Sequence, residues 1–405
     1  MKDLLSAQEA AALLDVKLPT LYAYVSRGQL ASVPGTRGPA RLYARAELER
    51  LKSRHRARAG HGAVAAGALR FGEPTLESEI TDIGSQGPRY RGHSALELAE
   101  QGKSFEAVAE LLWRGEPTAA GGWGERRFGL PVSLLAHVAS RETAPAAALP
   151  LVVSSLALRD RARFDAPFDA EISRARTLIR RMAAALALAR GPHAVKRALG
   201  ASSVAAIVAR ALGADPSSST VRQIDQLLVL SADHELNASS FAARVAASTG
   251  ADLYACVGAA LGALSGPRHG GASDRVEAFA AETGTPARAR AVIYERTRRG
   301  DLVPGFGHPL YPQGDPRATF ILAHFRGGSR RARILYAIDE AMREAGRERP
   351  NLDFALVVAA RALGLRAGAA GAIFAVGRVA GWVAHVFEQR QAGYLVRPRA
   401  RYVGP

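Results

Sequence analysis

Apolar residues spaced three and four apart dominate the chain from Gly72 onward, few stretches alternate, and the first sixty residues form a short basic unit with a different pattern. These observations predict a mainly α-helical protein, in which a large helical body follows a small module of two short helices and a hairpin. A chain of 405 residues that is 48% hydrophobic can bury a large core, and its length suggests two or three domains.

The elements follow in order. Ser6-Ala7-Gln8-Glu9 fits a capping box, in which hydroxyl and carboxylate each satisfy a free amide, so a helix should run from about Ala7 to Leu14. After a break at Asp15-Val16-Lys17, Pro19 sits near the start of a second helix and Gly28 past its end. QLASVPGTRGPARLY alternates around Gly35-Thr36-Arg37-Gly38 and predicts a two-stranded hairpin, with another helix beginning near Ala46. This order resembles the winged helix-turn-helix of the excisionase and MerR-type families, placed at residues 1–58. The resemblance implies that the second helix enters a DNA major groove through Thr20, Tyr24 and Arg27, while Arg37 and Arg41 on the wing contact phosphates. So thin a set of base readers also fits a structural or dimer-stabilising module.

KSRHRARAGHGAVAAGA, basic and then small, reads as a linker, set at residues 59–71 ahead of a body at 72–405. Within the body, TLESEITDIGSQGPRYRGH alternates around Gly84-Ser85-Gln86-Gly87 and predicts a small hairpin leading into a helix near Ser94. The rest reads as helix, without repeat, heptad run, phosphate-binding loop or dinucleotide fingerprint.

The net charge of +17 is unevenly spread: the first sixty residues hold eleven Lys/Arg against five Asp/Glu, so the excess is densest in the winged segment. No membrane span is expected, because the apolar stretch from Gly368 to Phe387 is interrupted by Arg378 and several glycines. MKDLLSAQEA lacks an apolar signal core, and the single Cys256 has no partner for an internal disulfide, so a reducing cytoplasm is expected. Cys256 lies on an apolar helical stretch and reads as a buried, inert thiol.

Six segments carry chemistry. In PGFGHPLYPQGDPR, seven of the thirteen residues 304–316 are Gly or Pro, so His308 and Arg317 are held by turns and not by regular helix or strand. His234 in SADHELNASS resembles the start of a zinc helix, but no second His follows at the required spacing, and no metal is expected. It reads as a substrate hydrogen-bonding residue or a satisfied core histidine. His269 in LSGPRHGGASDRV precedes a helix that Ser273 could cap; the helix dipole would keep its imidazole neutral and able to polarise a carbonyl, unless it is a turn histidine. Asp353 in NLDFALVVAARALGL is an N-cap or a carboxylate base. Arg378 lies on a helix that is apolar almost all round, between Gly377 and Gly381, where a guanidinium needs an internal carboxylate or an anionic ligand. Arg397 begins a basic C-terminal run.

Taken in order, DHELNAS, GPRHGG, GFGHPLYPQGDPRA, NLDF, FAVGRVAGW and RPRARY resemble the citrate synthase family, from about Gly72 to the C-terminus. The resemblance implies a mainly α-helical homodimer with a large domain and a smaller mobile one, here about residues 270–360, that closes over the site. It implies that Asp353 removes a methyl proton from acetyl-CoA while neutral His269 donates to the thioester oxygen. His308 then protonates the oxaloacetate ketone, and hydrolysis of citryl-CoA follows. His234, Arg317, Arg378 and Arg397 hold the oxaloacetate, Arg397 coming from the partner subunit. Acetyl-CoA is a co-substrate, and no separate cofactor is expected. Propionyl-CoA as donor (2-methylcitrate synthesis), citryl-CoA cleavage, or a DNA-binding regulator that senses a metabolite with the same body are the alternatives. There are three departures from the family pattern: Ser273 stands where many members have Asn, Arg268 where an apolar residue is usual, and Pro309 with Pro312 where basic residues often serve CoA.

Overall fold

The computed structural model describes residues 4–14, 16–26, 30–34, 41–45, 47–48, 76–116, 123–139, 144–165, 167–325, 329–398, 402 and 404. The chain divides into two compact units, residues 1–77 with 398–405 and residues 78–397.

In the first unit, helices Ala7–Leu14 and Leu18–Ser26 stand where the capping box and Pro19 predict them. The box itself forms: the Ser6 N–H donates to Glu9 Oε2 at 2.8 Å and the Glu9 N–H to Ser6 Oγ at 3.4 Å. Arg41–Ala44 pairs antiparallel with Val33–Pro34, and on its other edge with Leu4–Ser6, a strand the sequence pattern had not marked. Leu5, Ala10, Ala11, Leu21, Leu30, Tyr43 and Leu48 form its core. A core this small leaves little stability to spare, at roughly 2 kcal/mol per buried Leu.

Among its described residues the second unit is mainly helical, with one small sheet. Thr81–Gly84 and Gly87–Tyr90 pair from Thr81↔Tyr90 to Gly84↔Gly87, and His93–Ser94 adds a third strand. The helix Ala95–Glu100 follows at once, with Ser94 Oγ accepting the Glu97 N–H as its cap.

At the centre runs the 24-residue helix Ala369–Ala392, packed by helices Phe105–Arg114, Phe168–Ala185, Ser218–Ser231, Ala238–Ser248, Leu253–Leu264 and Leu352–Ala362. It is long and apolar enough to cross a membrane, yet 83% of its apolar window is buried inside the protein, which makes it a core helix. Its glycines set how closely neighbours approach. A Cβ on Gly377 would lie 2.8 Å from Leu228 O, and one on Gly381 would lie 2.5 Å from Ala232 O. The Gly381 N–H donates to Ala232 O at 3.0 Å, locking the end of the 218–231 helix, and the Asp233-His234 segment after it, against the central helix. Cys256 is buried, and burial pushes its thiol up to about 12.

Candidate active site

The glycine-rich loop at 304–316 is fixed to the start of the helix Leu352–Ala362 by backbone pairing. The Gly307 N–H donates to Arg349 O, the Asn351 N–H to Gly305 O, both at 2.9 Å, and Asn351 Nδ2 to Gly307 O at 3.1 Å. Gly305 has φ +84°, and a Cβ there would lie 2.8 Å from Phe354 Cβ, so only glycine lets the loop lie this close. These contacts bring His308 and Asp353 to the same place. Asn351, and not Asp353, is the N-cap of the 352–362 helix, accepting the Asp353 and Phe354 N–H groups. The Asp353 carboxyl is thereby left free of capping.

Ser273 does not cap the helix Ala272–Thr283 as expected; Gly271 holds that position without a side-chain bond. Ser273 instead lies buried inside the first turn and donates its hydroxyl to Asp353 Oδ1 at 2.9 Å. Burial raises Asp353 above the usual carboxylate range, against the lowering effect of Ser273 and of Arg317.

The three histidines are held neutral. His234, buried, places Nε2 3.0 Å from Tyr311 Oη and stacks edge-on with His308 at 5.3 Å between ring centroids. Burial first, then the cations Arg317 and Arg378, push it well below its ordinary value. His308 accepts the Leu310 N–H on Nδ1 at 3.1 Å, so its neutral ring carries the proton on Nε2. Burial and Arg317 lower it too. His269 is lowered to about 4 by burial and by the Arg378 cation. Its Nε2 lies 2.8 Å from Ser239 Oγ, and that oxygen accepts from Trp382 Nε1 at 3.0 Å.

Both arginines of the cluster are buried. Arg317 donates through Nε and Nη2 to the two oxygens of Asp315, at 3.0 and 2.8 Å, and its guanidinium lies 5.6 Å from the Tyr311 ring centroid. Asp315 also accepts the Leu352 N–H at 3.2 Å, a further tie between loop and helix. Arg378 donates from Nε to Ser231 O at 2.7 Å and stacks 4.5 Å from the Phe374 ring centroid. It makes no ion pair among the described residues, and burial lowers it to about 10. Arg397 is exposed after the central helix, and no hydrogen bond or ion pair among the described residues joins it to the cluster.

Sequence reasoning singled out His234, His269, His308, Asp353, Arg317 and Arg378, and hydrogen bonds, ring contacts and mutual charge effects connect them. It missed the residues that hold them: Asp315, Tyr311, Ser239 and Trp382. It also missed a fully buried pair below the site, His385 Nε2 at 3.3 Å from Asp233 Oδ1. Among the described residues no group of His, Cys, Asp or Glu side chains is placed to hold a metal ion.

In the winged unit Thr20 is exposed, and so is Arg41, which donates to Ser32 Oγ at 2.8 Å. Tyr24 is partly buried and packs against the small core, whereas Tyr22 is 52% exposed, so Tyr22 and not Tyr24 occupies the outer face of the second helix. Arg27 and Arg37 lie outside the described residues.

Solved structures that superpose on this chain include citrate synthases. That of Thermotoga maritima MSB8 superposes with a TM-score of 0.69 at 28% identity, over 82% of this chain and 94% of its own. The Thermoplasma acidophilum enzyme, in ternary complex with carboxymethyl coenzyme A and oxaloacetate, gives 0.72 at 25% identity, over 84% and 96%. The citrate synthase C-terminal domain family matches residues 70–399 and a helix-turn-helix domain matches residues 4–56; the chain belongs to the citrate synthase family. Citrate synthase 2 of Bacillus subtilis is 38% identical over 199 residues, 48% of this chain and 54% of the relative, so the match spans about half that protein's length. The Haloferax volcanii citrate synthase is 33% identical over 343 residues, 78% of this chain and 89% of the relative. The 2-methylcitrate synthase 2 of Corynebacterium glutamicum is 32% identical over 338 residues, 78% and 88%.

Proposed function

We propose that this chain condenses acetyl-CoA with oxaloacetate and water to citrate and CoA. The observation that carries this reading is one cluster holding a carboxylate of raised basicity, two neutral histidines suited to donate to oxygen, and two buried guanidiniums. Oxaloacetate is a dianion. Arg378 lacks an ion-pair partner within the described residues and can take one carboxylate, with Arg317 beside it, and Arg397 of a second subunit is assigned the outer one. His234 holds the substrate from the side of Tyr311.

Asp353 takes a methyl proton from the thioester while the neutral His269 ring donates a hydrogen bond to its carbonyl oxygen, so that charge develops on a hydrogen-bonded, enol-like oxygen and not on a bare enolate. The enol carbon attacks the ketone of oxaloacetate as the His308 Nε2 proton passes to the ketone oxygen. Water then hydrolyses the citryl thioester and releases CoA. No separate cofactor is needed. The unit acts as a homodimer in the cytoplasm, with residues 270–360 as the smaller closing domain.

Purified protein should release CoA thiol only when both substrates are present. An Asp353→Ala variant that kept normal turnover would sink the assignment. Propionyl-CoA as the preferred donor is the second reading, favoured by the methylcitrate synthase among the relatives, and parallel turnover of the two thioesters decides it. Citryl-CoA cleavage would show as the reverse reaction alone.

A DNA-binding role for the N-terminal unit is supported by the helix-turn-helix match and by exposed Thr20, Tyr22 and Arg41. Binding of duplex DNA that weakens steeply with salt supports it; no retention at low salt rejects it.

A further inference from the structure

We propose that Ser273 is a positioning residue for the Asp353 base, holding one carboxylate oxygen so that the other faces the substrate. The inference rests on the assignment of Asp353 as base and extends it to a side chain on another helix.

Three observations support it. Ser273 is 1% exposed at the second position of the 272–283 helix, where a serine hydroxyl would ordinarily bond local backbone. Here the helix is capped without it, and its single proton goes to Asp353 Oδ1, on a residue eighty positions further along. No other hydrogen bond among the described residues reaches the Asp353 carboxyl, so Oδ1 is anchored and Oδ2 is left to accept a proton.

The charges facing Asp353 come from three sides: Arg275 on the serine's own helix, Asp315 and Arg317 at the start of the helix Pro316–Phe325, and Arg378 on the central helix. Burial raises the base, Asp315 adds to that, and Ser273 heads the groups that oppose it. Without the hydroxyl, the carboxyl keeps its proton to higher pH and loses its fixed rotamer. An asparagine amide N–H is also a donor, so the requirement is for a hydrogen-bond donor at this position and not for a hydroxyl as such.

The test compares kcat and KM across pH for the parent, Ser273→Ala, Ser273→Asn, Ser273→Cys and Asp353→Asn. Ser273→Ala should lower kcat by roughly tenfold while KM for oxaloacetate stays within about twofold. The acidic limb of its kcat/KM profile should move toward alkaline pH by about half a unit or more. Ser273→Asn should restore most of kcat and return the limb to the parent position. Ser273→Cys keeps the volume with a weak donor, and should shift the limb even where Ser273→Ala fails to fold. An unchanged limb in both Ala and Cys variants overturns the inference while inactive Asp353→Asn preserves the base assignment. An active Asp353→Asn overturns the base assignment itself.

Discussion

Arg317 and Arg378 are two buried guanidiniums facing one cluster, and they are held in opposite ways. Arg317 is gripped by both oxygens of Asp315, and that carboxylate more than offsets burial, so its charge is reinforced. Arg378 has one backbone carbonyl and an aromatic face, and burial makes its charge less favourable. The first charge is compensated within the fold; the second has no carboxylate paired with it among the described residues, which suits it to the anion of the proposed reaction. A site built this way separates structural from binding charge, because only an uncompensated cation gains much from a ligand.

The largest test of this contrast is Arg317→Leu, which leaves Asp315 buried and unpaired and should cost about 3–5 kcal/mol in denaturant unfolding. Removing both partners, as Arg317→Leu with Asp315→Leu, should recover part of that loss. Next, Arg378→Leu should raise KM for oxaloacetate by roughly a hundredfold while changing unfolding by about 1 kcal/mol or less, since no partner charge is stranded. Equal destabilisation by the two single variants would break the comparison.

A smaller effect concerns pH. Folded His269 refuses a proton down to about 4, whereas the unfolded residue takes one near 6.5, so stability present above pH 6.5 is lost as pH falls toward 4. The full loss is on the order of 3 kcal/mol. Because Arg378 is one of its two causes, Arg378→Leu should raise the His269 pKa, read by NMR titration, and make the acid loss shallower. An unchanged titration would show that burial alone sets it. The smallest effect belongs to an exposed cation: Arg41→Ala should reduce the salt slope of DNA binding by about one, with unfolding of the body untouched.

The helical body, the capping box at Ser6 and Glu9 and the hairpin around Gly84 were legible because their signals are local. His308, Arg317, His269, Asp353 and Arg378 were legible because glycines, prolines or apolar neighbours made them conspicuous. Their supports were not. Ser273 meets Asp353 across eighty residues, and Trp382 meets Ser239 across 143, distances over which no periodicity constrains a pair. Ser273 looked like a cap because it lies only two residues past the true cap position, and Tyr24 looked exposed because a nine-residue helix offers too few turns to fix its face.

The backbone tether between Gly305, Gly307 and Asn351 has a mechanical consequence. It links His308 on the loop, the proton donor of the proposed reaction, to Asp353, its base, on the helix Leu352–Ala362, through hydrogen bonds that do not depend on their own side chains. In the proposed reaction they act on different protons of different reactants, yet the tether makes them one piece, so a displacement of either should carry the other with it.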